Sequence, residues 1–308
     1  MNIYHGIEDF KPLSYAVVTS GTFDGVHLGH QKILGRVKEI AEKNNGETVL
    51  ITFWPHPRLV LYPDKDDLRL LNTFEEKADL LREQGINHLL RIPFTKEFSN
   101  LSSEEFIQKI LVETIGTKKL VIGYDHRFGK NREGSFEHLK ENSKTYGFEV
   151  EEIPKQEIDH VGVSSTKIRN ALIEGNVKAG NELIGKEFSI RGRVVTGEKI
   201  GRMLGYPTAN IDIDSHYKLI PKDGAYAVHI NIGNELFKGM LNIGYRPTVG
   251  GNAKTIEVHI FDFDRDIYGE SITVSFHKKI RSEVKFADVD ELKQQLKKDM
   301  AQAHKILL

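Results

Sequence analysis

No cysteine occurs anywhere in the 308-residue chain. Disulfides, thiolate nucleophiles and cysteine-ligated zinc or iron–sulfur centres are therefore excluded. An excess of one charge is also missing: 43 Lys and Arg against 44 Asp and Glu leave a formal net charge of -1. Such a balance argues against a protein that coats nucleic acid, whose affinity rests on massed cationic contacts to phosphate. A small phosphate pocket survives this argument, because local clusters average out in a whole-chain sum. Apolar runs are short, and none approaches the ~20 residues of a membrane-spanning helix. The opening MNIYHGIEDF lacks the basic-then-apolar grammar of a secretory leader. The expectation is a cytoplasmic protein, and its length at ~100–200 residues per domain suggests two domains.

The chain is written in two grammars. In residues 1–183 short β-branched runs (YAVVTSG, ETVLITF, INHLLRIPF, KLVIGYD, FEVEEI) alternate with helical stretches. Ile33, Leu34, Val37, Ile40 and Ala41 repeat at the spacing of one helix face, as do Phe74, Ala78 and Leu81. Ser102 with Glu105 three residues later makes a capping-box pattern, and a last helix is expected from Ser165. Strand–helix alternation predicts an α/β, Rossmann-like parallel sheet, with ligands beyond the carboxyl ends of its strands. In residues 184–308 the runs FSIRGRVVTG, AYAVHINI, ELFKGMLNI, TIEVHIFDF and SITVSFHKKI follow at short intervals, with Gly233-Asn234 as a two-residue hairpin turn. No long helix is expected before residues 289–307. That pattern predicts a mainly antiparallel β-barrel with one C-terminal helix. The boundary is expected at residues 182–186, with NELIGK as a short link.

The strongest motif of the first half is G-T-F-D-G-V-H-L-G-H, from Gly21 to His30, where a strand leads into a helix. Backbone amides and a helix N-terminus there can face an anion. His27 and His30, three apart with Gly29 between them, can converge on one phosphate chain and stabilise charge that develops during transfer. A bare H-x-G-H also suits an ordinary helix start with exposed histidines. Position after the first strand of an α/β pattern, behind F-D-G, favours the phosphate site. Near the end of this half, Ser164-Ser165-Thr166-Lys167-Ile168-Arg169 offers hydroxyls, cap amides and two cations at another helix start.

These motifs resemble the nucleotidylyltransferase superfamily and, within it, the FAD synthetases. Thr52-Phe53-Trp54-Pro55-His56-Pro57 and Gly123-Tyr124-Asp125-His126-Arg127-Phe128-Gly129 resemble two further FAD synthetase segments, with His126 standing where the family has Phe or Tyr and Trp54 also a departure. The resemblance implies that Gly21, Phe23, Asp24, Gly29, Asp125, Ser165, Thr166 and Arg169 bind ATP and its phosphates. It also implies that Phe53, Pro55, His56 and Phe128 border the flavin.

The second half carries Gly197, Gly201, Gly205, Tyr206, Pro207, Thr208, Ala209 and Asn210 in one stretch. Glycines four apart suit a loop that closes on phosphate with backbone amides. Pro207 would stiffen the turn that presents Thr208 and Asn210, hard oxygen donors of the kind Mg²⁺ accepts. Downstream, Glu257 and His259 share a pleat parity on one strand. The stretch resembles the riboflavin kinase motif G-x-x-x-G-x-x-x-G-F/Y-P-T-A-N. That resemblance implies ATP contacts at Gly197, Gly201, Gly205 and Pro207, Mg²⁺ at Thr208 and Asn210, and a catalytic base at Glu257. It also implies flavin contacts at Arg281 and Phe286. Residues 242–248 and 280–286 match family segments too, and the acidic run at 261–266 reads as a solvated turn.

Taken over the whole chain, the resemblance is to bacterial bifunctional riboflavin kinase/FAD synthetases. It implies riboflavin, FMN and ATP as substrates, Mg²⁺ as the metal, no nucleic-acid or membrane partner, and compatibility with a homo-oligomer. A flavokinase with an inactive adenylyl site, a nucleotidylyltransferase for another acceptor, and a flavin-sensing regulator remain alternatives at this point.

Overall fold

A computed structural model describes residues 1–63, 68–124, 126–130, 133–154, 162–197, 200–248 and 251–308; side chains at 200, 246–248 and 251–253 also lie outside it. Contacts divide the chain into two compact units, Met1–Ser164 and Ser165–Leu308.

The first unit is built on six parallel strands: β1 (Asn2–Tyr4), β2 (Ala16–Ser20), β3 (Glu47–Trp54), β4 (His88–Pro93), β5 (Thr117–Gly123) and β6 (Glu149–Ile153). They lie in the order β1-β4-β3-β2-β5-β6, all pairs parallel. Successive residues of each central strand enter different cores. Val17, Leu50, Leu89 and Val121 pack with Leu34 and Val37 of α1 (Leu28–Lys43), and with Ala78 and Leu81 of α3 (Phe74–Glu83). Val18, Ile51, Leu90 and Leu120 pack on the other face with Ile107, Ile110 and Leu111. Coverage on both faces explains why these strands read as unbroken apolar runs. A short helix, α2 (Pro57–Leu61), follows β3. The helix opened by Ser102 has both bonds of its capping box; its first turns, α4 (Ser103–Phe106), pass into π-winding over Ile107–Ile115. α5 (Phe136–Tyr146) precedes β6.

The second unit opens with α6 (Ser165–Glu174) and α7 (Val177–Ile184). Here the structure corrects the expected link: Asn181–Ile184 are the last turn of α7, which buries Val177, Gly180 and Ile184 and stops at Gly185 in the left-handed region. The stretch reads as a linker because only Leu183 and Ile184 are apolar, yet Ile184 falls on the helical face of Val177 and Gly180. Six strands then close an antiparallel barrel: β7 (Phe188–Val195), β8 (Ala209–Asp212), β9 (Gly224–Ile232), β10 (Glu235–Thr248), β11 (Gly251–Ile260) and β12 (Ser271–Ser282). The Gly233-Asn234 turn joins β9 and β10, with φ of 58° at Gly233. Tyr226, Val228, Leu241, Ile243, Val258, Val274 and Phe276 are buried at alternate positions. A single turn, α8 (Ile200–Met203), lies between β7 and β8. The last helix, α9 (Val289–Ile306), places Ala303 against Ala227, Met240 and Phe261. The acidic run after β11 is an exposed turn apart from buried Phe261 and half-buried Phe263. Among the described residues, no helix is long and apolar enough to cross a membrane.

Candidate active sites

In the first unit the strand order changes direction at β2, with β3 and β4 to one side and β5 and β6 to the other. Such switch points open a crevice at the carboxyl ends of the strands. The chain leaves β2, β3 and β5 there through the three motifs quoted above. Phe23 and Val26 have φ of 46° and 39°, and Gly25 has φ of 90°. A bulky residue held at positive φ stores backbone strain of a kind that clusters at ligand sites.

His27 is the N-cap of α1, and its Nδ1 accepts the His30 backbone N–H at 3.3 Å. A neutral His27 accepting at Nδ1 carries its proton on Nε2, a donor for an anion. The spacing of three brings the two rings face to face, with centroids 3.6 Å apart and planes 15° from parallel. Phe23 closes the other side of His30 at 4.8 Å. His30 Nδ1 is buried with no hydrogen-bond partner among the described residues. Burial holds His30 well below the usual imidazole range, with the neighbouring His27 and Lys77 adding to the effect.

As pH falls, the unfolded chain therefore takes up this proton before the folded one does. Stability from His30 is full above its unfolded value of 6.5 and declines as pH drops toward the folded value. We expect the urea midpoint of the wild-type chain to fall more steeply between about pH 7 and about pH 5 than that of His30→Gln. The difference should reach at most about 1.4 kcal/mol per pH unit. Equal slopes would contradict the assignment.

Sequence reasoning missed Lys77. Its ammonium donates to the Thr22 carbonyl at 2.7 Å and to Thr52 Oγ1 at 3.4 Å, and it lies 5.5 Å from the centre of the Trp54 ring. Burial lowers its pKa to about 8, opposed by the charge of Asp24. The signal was present, because Lys77 stands on the stripe formed by Phe74, Ala78 and Leu81, where a charge is out of place. Asp24 turns its Oδ1 to the backbone amides of Leu71 and Asn72, at 2.9 and 3.3 Å. The geometry thus gives Asp24 a role in holding the 71–72 turn.

The remaining expected residues take varied places. An added Cβ on Gly21 would stand 3.1 Å from the Phe23 ring, and one on Gly29 would stand 3.1 Å from Val163. Phe53 is half-buried beside Phe98 and Phe94, while Phe128 is buried against Phe106 at 5.5 Å and backs the loop from the core. Pro55 follows a cis bond and is exposed. His56 is buried and caps α2 by accepting from the Arg58 amide at 3.2 Å. His126, the departure from the family aromatic, meets Ser20 Oγ at the end of β2, at 2.8 Å. Asp125 lies outside the described residues. Ser165 and Thr166 open α6 in the second unit, where Arg169 Nη1 donates to Thr166 Oγ1 at 3.5 Å.

The barrel unit holds a cavity of about 560 Å³. Register pairs Arg281 with Ala225, Ala225 with Asn242, Asn242 with Glu257, and Glu257 with Asn210. Directly paired residues present their side chains on one face of a sheet, so this is a single row across five strands, polar at every position but Ala225. Arg281, Ala225, Asn242 and Glu257 line the cavity together with Thr208, His259, Phe286 and residues of α9. Thr208 Oγ1 donates to Glu257 Oε2 at 3.3 Å, and His259 Nδ1 lies 2.7 Å from the Pro207 carbonyl. Asn242 Oδ1 is buried without a partner among the described residues, an acceptor awaiting a donor. Gly197 has no room for a side chain, since a Cβ would strike the Asn210 amide, and one on Gly201 would strike the Tyr206 carbonyl. Gly205 turns with φ of 86°.

Two further residues were absent from the expected set. Burial raises the Glu283 carboxyl above its usual range, against the pull of Arg281 and Asn242. Asp299 of α9, 2% exposed, receives the Arg281 Nε at 3.1 and 2.9 Å and faces Nη2 at 2.9 Å. The Arg281 guanidinium also lies 5.6 Å from the Phe286 ring. Asp299→Ala would strand that cation under α9. We expect it to destabilise the second unit by about 3–5 kcal/mol, read from urea denaturation. A change under about 1 kcal/mol would place the pair among surface bridges of little worth.

Comparison with known proteins finds relatives for both halves of the chain. The FAD synthetase family model matches residues 10–167, and the riboflavin kinase model matches residues 184–307. A solved structure described as a macrolide-efflux protein from Streptococcus pneumoniae has a TM-score of 0.86 and 34% identity, covering 97% of this chain and 96% of that one. Curated bifunctional riboflavin kinase/FMN adenylyltransferases are 41% identical in Buchnera aphidicola subsp. Schizaphis graminum (97% of each chain), 38% in Escherichia coli K12 (97% and 96%) and 36% in Bacillus subtilis 168 (94% and 91%). With both family models matched in order and relatives aligned over nearly their whole length, the chain belongs to the bifunctional riboflavin kinase/FMN adenylyltransferase family.

Proposed function

We propose that the chain makes FAD from riboflavin in two transfers, one in each half. In the barrel half, the riboflavin 5′-hydroxyl oxygen attacks the γ-phosphorus of ATP. The bond from that phosphorus to the β–γ bridging oxygen breaks, ADP leaves, and the hydroxyl proton passes to Glu257. The observation that carries this reading is the Glu257 carboxylate, lining the cavity with the Thr208 hydroxyl 3.3 Å away. Such a base needs reach to the hydroxyl before its pKa matters.

The donor set fits Mg²⁺. Thr208 and Asn210 offer hard oxygens beside a carboxylate, and Gly197 leaves space at the Asn210 amide. These residues would hold the ion, which when bound would offset phosphate charge. Arg281, fixed by Asp299, orients the flavin from one side of the cavity, with Phe286 beside it. Phosphoryl transfer of this kind depends on alignment and charge neutralisation more than on covalent chemistry.

In the α/β half, a phosphate oxygen of FMN attacks the α-phosphorus of a second ATP. The bond to the bridging oxygen breaks and pyrophosphate leaves. The attacking oxygen is already anionic, so no strong base is required. His27 and His30 donate hydrogen bonds to charge developing on the α-phosphate. Lys77 steadies the motif turn through Thr22. The protein acts in the cytoplasm on small-molecule substrates. Riboflavin and MgATP, incubated with the purified chain and resolved by chromatography, should give FMN, then FAD and pyrophosphate. Accumulation of FMN without FAD would reduce the reading to a flavokinase.

A further inference from the structure

Beyond the cavity and the histidine pair, the barrel unit carries Glu187, His229 and His277. Phe188, Val228 and Phe276 are buried and paired in one row across β7, β12 and β9. Glu187 immediately precedes that row, and each histidine immediately follows its member. Alternation therefore turns all three side chains to the other face. His277 is also the residue at which the β12–β9 register slips, between Phe276 and Lys278. A bulge of this kind re-aims a side chain. Here His277 Nδ1 comes 2.6 Å from Glu187 Oε1, while His229 Nδ1 lies 2.9 Å from Oε2. One ligand atom from each of the three falls within 4.8 Å of the others.

The support behind the cluster is firm. Asn181 of α7 donates from Nδ2 to the Phe276 carbonyl and accepts the Phe188 amide at Oδ1, both at 2.8 Å. One amide side chain thus ties the helix to the two strands at the row that carries the cluster. Side-chain exposures of 24%, 28% and 42% for His229, Glu187 and His277 leave an entry path for an ion.

We propose that Glu187, His229 and His277 form a transition-metal site, selective for Zn²⁺ or a similar ion over the Mg²⁺ of the phosphate chemistry. Two imidazoles and one carboxylate make a borderline donor set that suits zinc and its neighbours, while Mg²⁺ prefers oxygen. Each imidazole binds through Nδ1 with its proton on Nε2. A fourth position stays open to water. The bound ion clips β7, β9 and β12 together where α7 is anchored, and stabilises the folded state by linkage.

The test uses the full-length chain stripped by a chelator and titrated with Co²⁺ in excess Mg²⁺, followed by visible absorption and thermal unfolding. The expected result is one Co²⁺ per chain, displaced by Zn²⁺, with Tm rising with metal concentration. His229→Ala and His277→Ala should each weaken Co²⁺ binding by at least about tenfold, since even outer-shell support of a ligand is worth about 10–100-fold. Both flavin activities of these variants should be retained, reporting that they fold. A His27→Ala/His30→Ala chain should keep the Co²⁺ spectrum. No Co²⁺ bands in the wild type, or bands that persist in the His229 and His277 variants, would overturn the site.

Discussion

Glu257→Ala should abolish phosphorylation of riboflavin while leaving the conversion of added FMN to FAD unchanged. Loss of a positioned general base costs about 10²–10⁴-fold in rate. The upper part of that range is expected, because Glu257 does more than accept a proton. It is the partner of the Thr208 hydroxyl and the centre of the row Asn242–Glu257–Asn210. Removal leaves the buried Asn242 oxygen and the Asn210 amide facing a gap where a carboxylate stood. Glu257→Gln keeps the shape and should remain as slow as the alanine variant. A charge-neutral side chain that restored the rate would show that the carboxylate only positions Thr208. Coupled loss of both activities would break the division of labour between the halves.

His30→Ala should produce the converse, FMN accumulating from riboflavin with little FAD. Removing one preorganised donor from a site of developing charge costs about 10²–10³-fold. The stacking of His27 and His30 raises this expectation. His30 is held neutral by burial and by its neighbours, so it acts as a fixed dipole rather than a cation. Its loss also removes the ring that packs between Phe23 and His27, and with it the support of the positive-φ turn at Phe23. His30→Gln restores a donor without the stacked ring and should recover part of the rate. Undiminished FAD synthesis in His30→Ala would remove the two-histidine argument altogether.

How much of this was legible beforehand depended on whether the signal was local. The parallel sheet, the barrel, the Gly233-Asn234 turn and the Ser102–Glu105 box all came from patterns spanning a few residues. The two histidines met because a spacing of three fixes their positions on a helix. β8 was read only as motif loop, since Ala209–Asp212 holds one large apolar residue and owes its strand form to β7 and β11. β1 escaped for the same reason, being three residues recruited by β4. The pairing of Arg281 with Asp299 joins a strand to a helix and has no sequence spacing to betray it. Asp24 matched a phosphate motif in the chain, yet its carboxylate is held by amides 47 and 48 residues away. Lys77 is the instructive case. A lysine on an apolar stripe broke a local rule, and such breaks are where functional or strained sites are expected.

The most direct test of two chemistries in two halves follows two phosphorus labels through the wild type and the two variants. ATP labelled at the γ-phosphorus should pass its label into FMN, and ATP labelled at the α-phosphorus should pass its label into FAD. Glu257→Ala, supplied with FMN, should transfer only the α label, and His30→Ala, supplied with riboflavin, only the γ label. If either substitution silenced both transfers in a chain that remains folded, the assignment of one reaction to each site would be contradicted.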